Sequence, residues 1–324
     1  MYGSVGVTVE SGVSMDEQPS DARHGRLRRA SPSVAPVQKA AIPAVSAREL
    51  KSAEGCTGGS LGRLGSLEVR LARTDEEVLR AQALRAGVFF SHRSALADRR
   101  MVELPRDADT FDPFCDHLVV LDHGSARAGS RGEIVGTCRL LRQEIAERHC
   151  GFYTSGEYDI ASLLARKRGL QFLELGRSCV LPAFRKKRTL ELLWHGIWAY
   201  VLMHRMDVMI GCASLEGTDT GRHAAALSFL YHHALAPAGW LVRACEGARV
   251  DMNLMGADEI DARAALRALP PLIKGYLRLG AFVGDGAVLD GAFGTTDVCI
   301  VLPVSELNPR YVHHYGTDAR RFAS

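Results

Sequence analysis

The densest chemical signal in this sequence is a strand-like run, a basic loop and an apolar helical run in direct succession: FLELGRSCV, LPAFRKKR and TLELLWHGIWAY, spanning 172–200. A helix N-terminus presents unpaired N–H groups and partial positive charge, and therefore favours phosphate. Arg185, Lys186, Lys187 and Arg188 add four cations at that point. Such a loop suits the phosphate of a pantetheine arm or the acidic surface of a carrier protein. The bland alternative is a solvated charge run that closes the loop.

The strand-like run itself carries Glu174 and Arg177 among apolar residues. Charges inside so apolar a strand are costly unless paired, so they form either a structural ion pair or part of a site. Strict alternation puts Glu174, Gly176 and Ser178 on one face and Leu175, Arg177 and Cys179 on the other. Cys179 beside Arg177 could in principle act as a thiolate nucleophile, although strand-embedded cysteines are ordinarily inert. His232 and His233 lie in an apolar helical run and read as surface or core residues. The glycine-rich run GAFVGDGAVLDGAFG (280–294) holds no phosphate-binding motif and reads as a loop.

The elements that must position these residues alternate between strand and helix. Leu67–Leu71, His117–Asp122, Glu133–Arg142, Gln171–Leu181, Asp207–Leu215 and Asp297–Val304 read as strands. Thr74 is placed as an N-cap with Glu77 as its capping-box partner, opening a helix that runs to about Phe90. Further helical runs are Glu157–Arg166, Thr189–Met206 and His223–Ala236, with Ala264–Arg278 bent at Pro270 and Pro271. Strands interleaved with helices predict an α/β or α+β fold with a mixed central sheet flanked by helices. Residues 1–65, rich in Gly, Ser, Ala and Pro, lack the apolar content to order and read as a disordered extension. The folded domain is expected over 66–316, with 317–324 as a tail.

Composition narrows the functional classes. Of the 324 residues, 47% are hydrophobic and 24% charged, as in an ordinary soluble protein. The net charge of +3 gives no global case for nucleic acid. Eight cysteines are scattered without C-x-x-C or metal-ligand spacing, which suits a reducing compartment and predicts a cytoplasmic protein without a metal site. No apolar run reaches the ~18 residues of a membrane span.

Residues 67–316 resemble the ornithine N-acyltransferases that make lyso-ornithine lipid, most closely over Leu269–Val304, LPPLIKGYLRLGAFVGDGAVLDGAFGTTDVCIVLPV. The central part also resembles the acyl-homoserine lactone synthases, which share a GNAT-like N-acyltransferase fold. Arg85 and Phe89 in ALRAGVF match the first-helix Arg-x-x-x-Phe of the lactone synthases, and Asp109 and Asp112 in DTFD match their loop carboxylates. Arg139 in GTCRLL matches their strand arginine, and Glu174 with Arg177 in ELGR match their Glu-x-x-Arg pair. A tryptophan usual in the loop after their first helix is absent here.

The resemblance implies transfer of a 3-hydroxyacyl group from acyl carrier protein to the α-amine of L-ornithine, without metal or redox cofactor. Attack by an amine needs a proton acceptor, with Glu174 the first candidate base and Asp112 the second. Arg139 or Arg177 would clamp the ornithine carboxylate, and Asp109, Asp112 or Asp116 would receive its side-chain ammonium. The basic loop 185–188 would hold the carrier, and a lipid product would bring the enzyme to the inner membrane surface. The alternatives are lactone synthesis, another carrier-dependent amine acylation, or a non-catalytic carrier-binding module.

Overall fold

Sheet formation begins before the point that composition suggests. In the computed structural model, which describes residues 59–90, 106–124, 132–247 and 249–308, Gly62–Leu64 already forms a strand, β1, antiparallel to β2 (Leu67–Leu71). The expected boundary between 65 and 66 falls inside this hairpin. Residues 1–58 and 309–324, including most of the expected extension and the whole tail, lie outside the described residues.

Helix α1 (Asp75–Phe89) follows, capped by Thr74, whose Oγ1 accepts from the Glu77 N–H at 3.3 Å. Only half of the capping box forms. The Glu77 carboxylate turns to Arg70, which donates to both its oxygens at 2.8 and 2.7 Å. Two strands then complete the first half of the sheet, β3 (Asp116–Asp122) and β4 (Glu133–Arg142). Short helices α2 (Gln143–Arg148) and α3 (Ile160–Arg166) flank a turn at Tyr153–Gly156. Glu157, expected in a helix, precedes α3.

Strand β5 (Phe172–Val180) leads through the basic loop into α4 (Lys187–His204) and then β6 (Val208–Glu216). Helix α5 (Ala224–Ala234) and the short β7 (Arg249–Val250) come next. The proline pair splits the expected bent helix into α6 (Ala262–Ala268) and α7 (Pro271–Leu279). The glycine-rich run is not a loop: Phe282–Asp290 forms β8, hairpinned to β9 (Thr295–Pro303).

Nine strands among the described residues make one sheet in the order β1-β2-β3-β4-β5-β6-β9-β8-β7. Every neighbouring pair is antiparallel except β5–β6, so the sheet is mixed. Leu118, Val120, Leu140, Leu173 and Leu175 face α4 and α7 through Leu192, Ile197, Tyr200, Ile273 and Tyr276. The alternate residues Val119, Leu121 and Ile134 meet Ala81 and Leu84 of α1 on the opposite face. Gly196 lets α4 lie close on the sheet, since a Cβ there would sit 2.5 Å from Val69 Cγ2. The expected mixed sheet flanked by helices is what the chain forms. Among the described residues, no helix is long and apolar enough to cross a membrane.

One irregularity matters for the site. Thr137 pairs with Cys179 but Arg139 with Gly176, so three steps along β5 match two along β4. This is a β-bulge, and Arg177 within it takes a left-handed backbone with φ of 51°. The extra residue shifts the alternation by one. Leu173 and Leu175 belong to the core under α4, yet Cys179 joins the α1 side and Val180 returns to the α4 side.

Candidate active site

Three arginines and three aspartates interlock where α1, β4 and β5 meet. Arg85 is fully buried on α1 and donates to both oxygens of Asp112, at 2.9 and 2.8 Å. Its Nε lies 2.8 Å from the Asp107 carboxylate. Asp112 also accepts from Gln82 Nε2 at 3.2 Å and from the Asp109 N–H at 3.1 Å. Burial alone would raise the Asp112 carboxyl, but the hydrogen bonds and charge of Arg85 hold it down at about 2. Arg139 donates to Asp109 at 2.6 Å and to Asp112 at 3.3 Å. Burial works against the Arg139 charge, and the Asp109 hydrogen bond and neighbouring carboxylates outweigh it, so the guanidinium stays charged.

Arg177 completes the network through Asp107 at 3.2 Å and Asp109 at 3.1 Å. Its guanidinium is sandwiched between the rings of Tyr153, 4.8 Å away, and Phe293, 4.6 Å away. Phe89 meets Phe293 edge-on at 5.9 Å, and Phe90 stacks on the same ring at 5.5 Å. The structure therefore brings Arg85, Phe89, Asp109, Asp112, Arg139 and Arg177 together. Asp116 stands outside, accepting from the Tyr200 hydroxyl.

Glu174 does not pair with Arg177. It is 4% exposed and accepts from the Thr154 N–H at 2.7 Å, the Thr154 hydroxyl at 2.5 Å and the Tyr153 N–H at 2.9 Å. Burial pushes its carboxyl up despite these donors. The side chain thus clamps the Tyr153–Gly156 turn, which presents Tyr153 to Arg177 and leads into Glu157.

Beside this clamp the sheet opens. β5 hydrogen-bonds β6 only where Phe172–Glu174 faces Val208–Ile210, whereas β6 continues alongside β9 as far as Glu216. At the point of parting, the Leu175 carbonyl oxygen lies 2.3 Å from where a Gly211 Cβ would sit, so only glycine fits. Cys212, two residues beyond the last β5–β6 pair, approaches the Thr154 hydroxyl at 3.8 Å.

Three carboxylates gather on the β6–β9 side of the gap. Glu157, Asp290 and Asp297 each offer an oxygen, and these atoms lie within 4.8 Å of one another. Burial pushes the Glu157 carboxyl up to about 7; Asp297 and Asp290 add to the rise, while neighbouring Cys212 and the charge of Arg177 oppose it. Asp297 is raised by burial too, with the charge of Arg177 opposing the rise. Sequence reasoning missed Asp107, Tyr153, Phe293 and this cluster. Glu157 and Asp297 are far apart along the chain, so no local spacing could have flagged them.

The basic loop is exposed throughout Arg185, Lys186, Lys187 and Arg188. Arg185 Nε donates to the Val180 carbonyl at 3.1 Å, and Lys187 lies 3.7 Å from Glu191. Among the described residues, none of the four joins the arginine–aspartate network. Burial pushes the Cys179 thiol up to about 12, away from the thiolate a nucleophile needs. His232 meets the Met255 carbonyl at 3.0 Å and His233 packs on Phe229, both structural settings.

Comparison with known proteins gives this arrangement a family. Residues 84–195, which hold the end of α1, strands β3 to β5 and the first turns of α4, match the acetyltransferase (GNAT) domain model. The chain is 52% identical over 263 residues to an L-ornithine N(alpha)-acyltransferase of Agrobacterium fabrum, covering 81% of this chain and 89% of the relative. The corresponding protein of Rhizobium meliloti is 52% identical over 82% of this chain and 89% of its own, and that of Brucella abortus 50% identical over 81% and 93%. Identity at that level over most of both partners is decisive: the chain belongs to the L-ornithine N(alpha)-acyltransferase family.

Proposed function

We propose that this protein transfers a 3-hydroxyacyl group from acyl carrier protein to the α-amine of L-ornithine, giving lyso-ornithine lipid. The observation that carries the reading is the 52% identity to a curated L-ornithine N(alpha)-acyltransferase, running through 89% of that relative. The geometry is compatible with direct transfer. The parting of β5 and β6 leaves backbone N–H and C=O groups beyond Glu174 and Ile210 without a partner strand, and a thioester threaded there would find ready donors for its oxyanion.

In the proposed reaction the neutral α-amine attacks the thioester carbonyl. A C–N bond forms, the C–S bond breaks, and the amine proton ends on the departing thiolate, whose ordinary range near ~8.5 makes it a competent acceptor. The transfer itself asks for no metal or redox cofactor. Glu174 and Asp112 serve this scheme as positioning residues rather than bases, because their oxygens already accept strong donors. Arg177, half-buried beside the gap, is the best-placed clamp for the ornithine carboxylate, with Arg139 behind it. The exposed cations 185–188 would meet the acidic carrier and its phosphate before α4. A cytoplasmic enzyme with an amphiphilic product would work at the inner membrane surface.

Purified protein incubated with 3-hydroxyacyl carrier protein and a panel of amines tests the reading. The expected product is an amide of ornithine, with no lactone and no product from homoserine derivatives. Acylation of other amines with ornithine left untouched would overturn it.

A further inference from the structure

The carboxylate cluster beside the gap is an unusual thing for a core to carry. Asp297 is 5% exposed, and its Oδ1 is shielded from solvent without a hydrogen-bond partner. The same is true of Glu157 Oε2. Buried anionic oxygens left unmatched are costly, and two facing each other are costlier still. Asp290, at the rim, is partly engaged: its Oδ1 caps the hairpin by accepting from the Ala292 and Phe293 N–H groups at 2.7 and 3.0 Å.

Below about pH 7 a proton on Glu157 relieves the clash; above it, the group that would relieve it is a multivalent hydrogen-bond donor with positive charge. A primary ammonium donates three N–H bonds. Charge-assisted bonds of about 2.8 Å at tetrahedral angles set their acceptors about 4.6 Å apart. The three oxygens lie within 4.8 Å of one another, which accommodates that spread. A divalent metal, with oxygen ligands at about 2.0–2.6 Å, fits within the same limit, so spacing alone does not choose between the two. What separates them is charge: the field of Arg177 acts on both Glu157 and Asp297, and it repels a doubly charged ion about twice as strongly as an ammonium.

The place fits an acceptor. Glu157 follows the turn that Glu174 clamps, and Cys212, just past the point where β5 and β6 separate, approaches that same turn at the Thr154 hydroxyl. We infer that Glu157 and Asp297, with Asp290 at the rim, form the subsite for the acceptor's side-chain ammonium, selecting a diamino acid over a monoamino one. This rests on the ornithine reading above. It moves the ammonium site away from Asp109 and Asp112, whose charges are matched by Arg85, Arg139 and Arg177.

The test compares ornithine with norvaline, which lacks only the side-chain ammonium, using the full chain and a 3-hydroxyacyl carrier protein at pH 8. The wild type should favour ornithine in kcat/KM by ~30-fold or more. Asp297→Asn, and independently Glu157→Gln, should cut that preference to a few-fold, chiefly through the KM for ornithine. In parallel, ornithine without donor should raise the melting temperature of the wild type and of neither variant. An unchanged preference in both variants overturns the inference while leaving the ornithine reaction standing. A ligand-induced melting shift that the variants lose, with no acylation of ornithine by the wild type, sinks the reaction and keeps the site. No acylation and no shift removes both. Titration with Mg²⁺, Mn²⁺ or Ca²⁺ alone closes the remaining route: micromolar binding that Asp297→Asn abolishes would make this a metal site instead.

Discussion

Glu174 and Thr154 are joined twice, the carboxylate accepting both the backbone N–H at 2.7 Å and the hydroxyl at 2.5 Å. The link crosses from β5 to the turn that carries Tyr153 and Glu157, so a strand residue with no free oxygen sets the position of two residues beside the gap. Glu174→Gln replaces one acceptor oxygen by a donor facing an N–H group. A buried donor left unsatisfied costs about 1–3 kcal/mol, and each kcal/mol lowers the melting temperature of a domain this size by ~2–4 °C. The variant should therefore melt several degrees lower, with reduced turnover that higher pH does not recover. An unaltered melting temperature with turnover down by 10²–10⁴ and rescued at high pH, the behaviour of a lost general base, would return Glu174 to the chemistry.

The arginine–aspartate network should behave as a structural unit. Arg85 and Asp112 are buried and bidentate, and removing one partner of such a pair costs about 3–5 kcal/mol. Asp112→Asn should lower the melting temperature far more than Asp109→Asn, since Asp109 is the more exposed partner. The Asp112 carboxyl is depressed from 3.8 to about 2, so its stabilisation is present above pH 3.8 and is lost as pH falls through about 2. Thermal scans between pH 2 and 5 should show Asp112→Asn losing less on acidification than the wild type does.

Most strands and the long helices were legible in the sequence because apolar periodicity and caps such as Thr74 act locally. Three features were not. The bulge at Arg177 inverts the alternation after Leu175, so a period of two put Arg177 on the wrong face relative to Glu174. The glycines of 280–294 suggested a loop, yet Gly284 and Gly286 sit in β8, where a Cβ would meet Cys299, Val242, Arg249 and Ala244 at about 3 Å. Glu157 and Asp297 come together only because β9 inserts beside β6 and the Tyr153–Gly156 turn folds back over them, which no spacing in the chain encodes.

The first strand sets how far the N-terminus can be shortened. Leu61 N–H donates to the Val69 carbonyl at 2.8 Å, and the Leu61 carbonyl lies 3.0 Å from His195 Nε2 on α4. A chain beginning at Gly59 keeps both contacts, whereas one beginning at Ser66 loses them together with β1. Melting curves of the two should differ by several degrees, the shorter being less stable. Equal curves would mean that β1 contributes nothing to the sheet.

The basic loop should govern donor capture alone. Lys186 and Lys187 are exposed and lie outside the arginine–aspartate network, so Lys186→Glu with Lys187→Glu should leave the melting temperature nearly unchanged. The KM for acyl carrier protein should rise about tenfold at low salt, and the difference should shrink as added salt screens the wild-type attraction. The KM for ornithine should stay put; a rise confined to ornithine would place the loop at the acceptor end.

Glu157 makes the sharpest pH prediction. Its carboxyl is raised from 4.5 to about 7 by burial and by Asp297 and Asp290, against Cys212 and Arg177. Between those two values the folded protein binds more protons than the unfolded chain, so stability falls as pH rises through the window. The contribution is fully present below pH 4.5 and gone above about 7. Glu157→Gln never ionises and lacks this term, so its advantage over the wild type should grow from pH 5 to pH 8. Allowing for partial exposure, the growth should be ~1–2 kcal/mol, or ~2–8 °C in melting temperature. Asp297, raised by burial as well, pushes in the same direction in both proteins. Ornithine supplies the missing cation, so saturating ornithine at pH 8 should restore the wild type and leave the variant where it was. A melting difference that stays flat from pH 5 to 8 would mean that Glu157 ionises in the apoprotein without penalty.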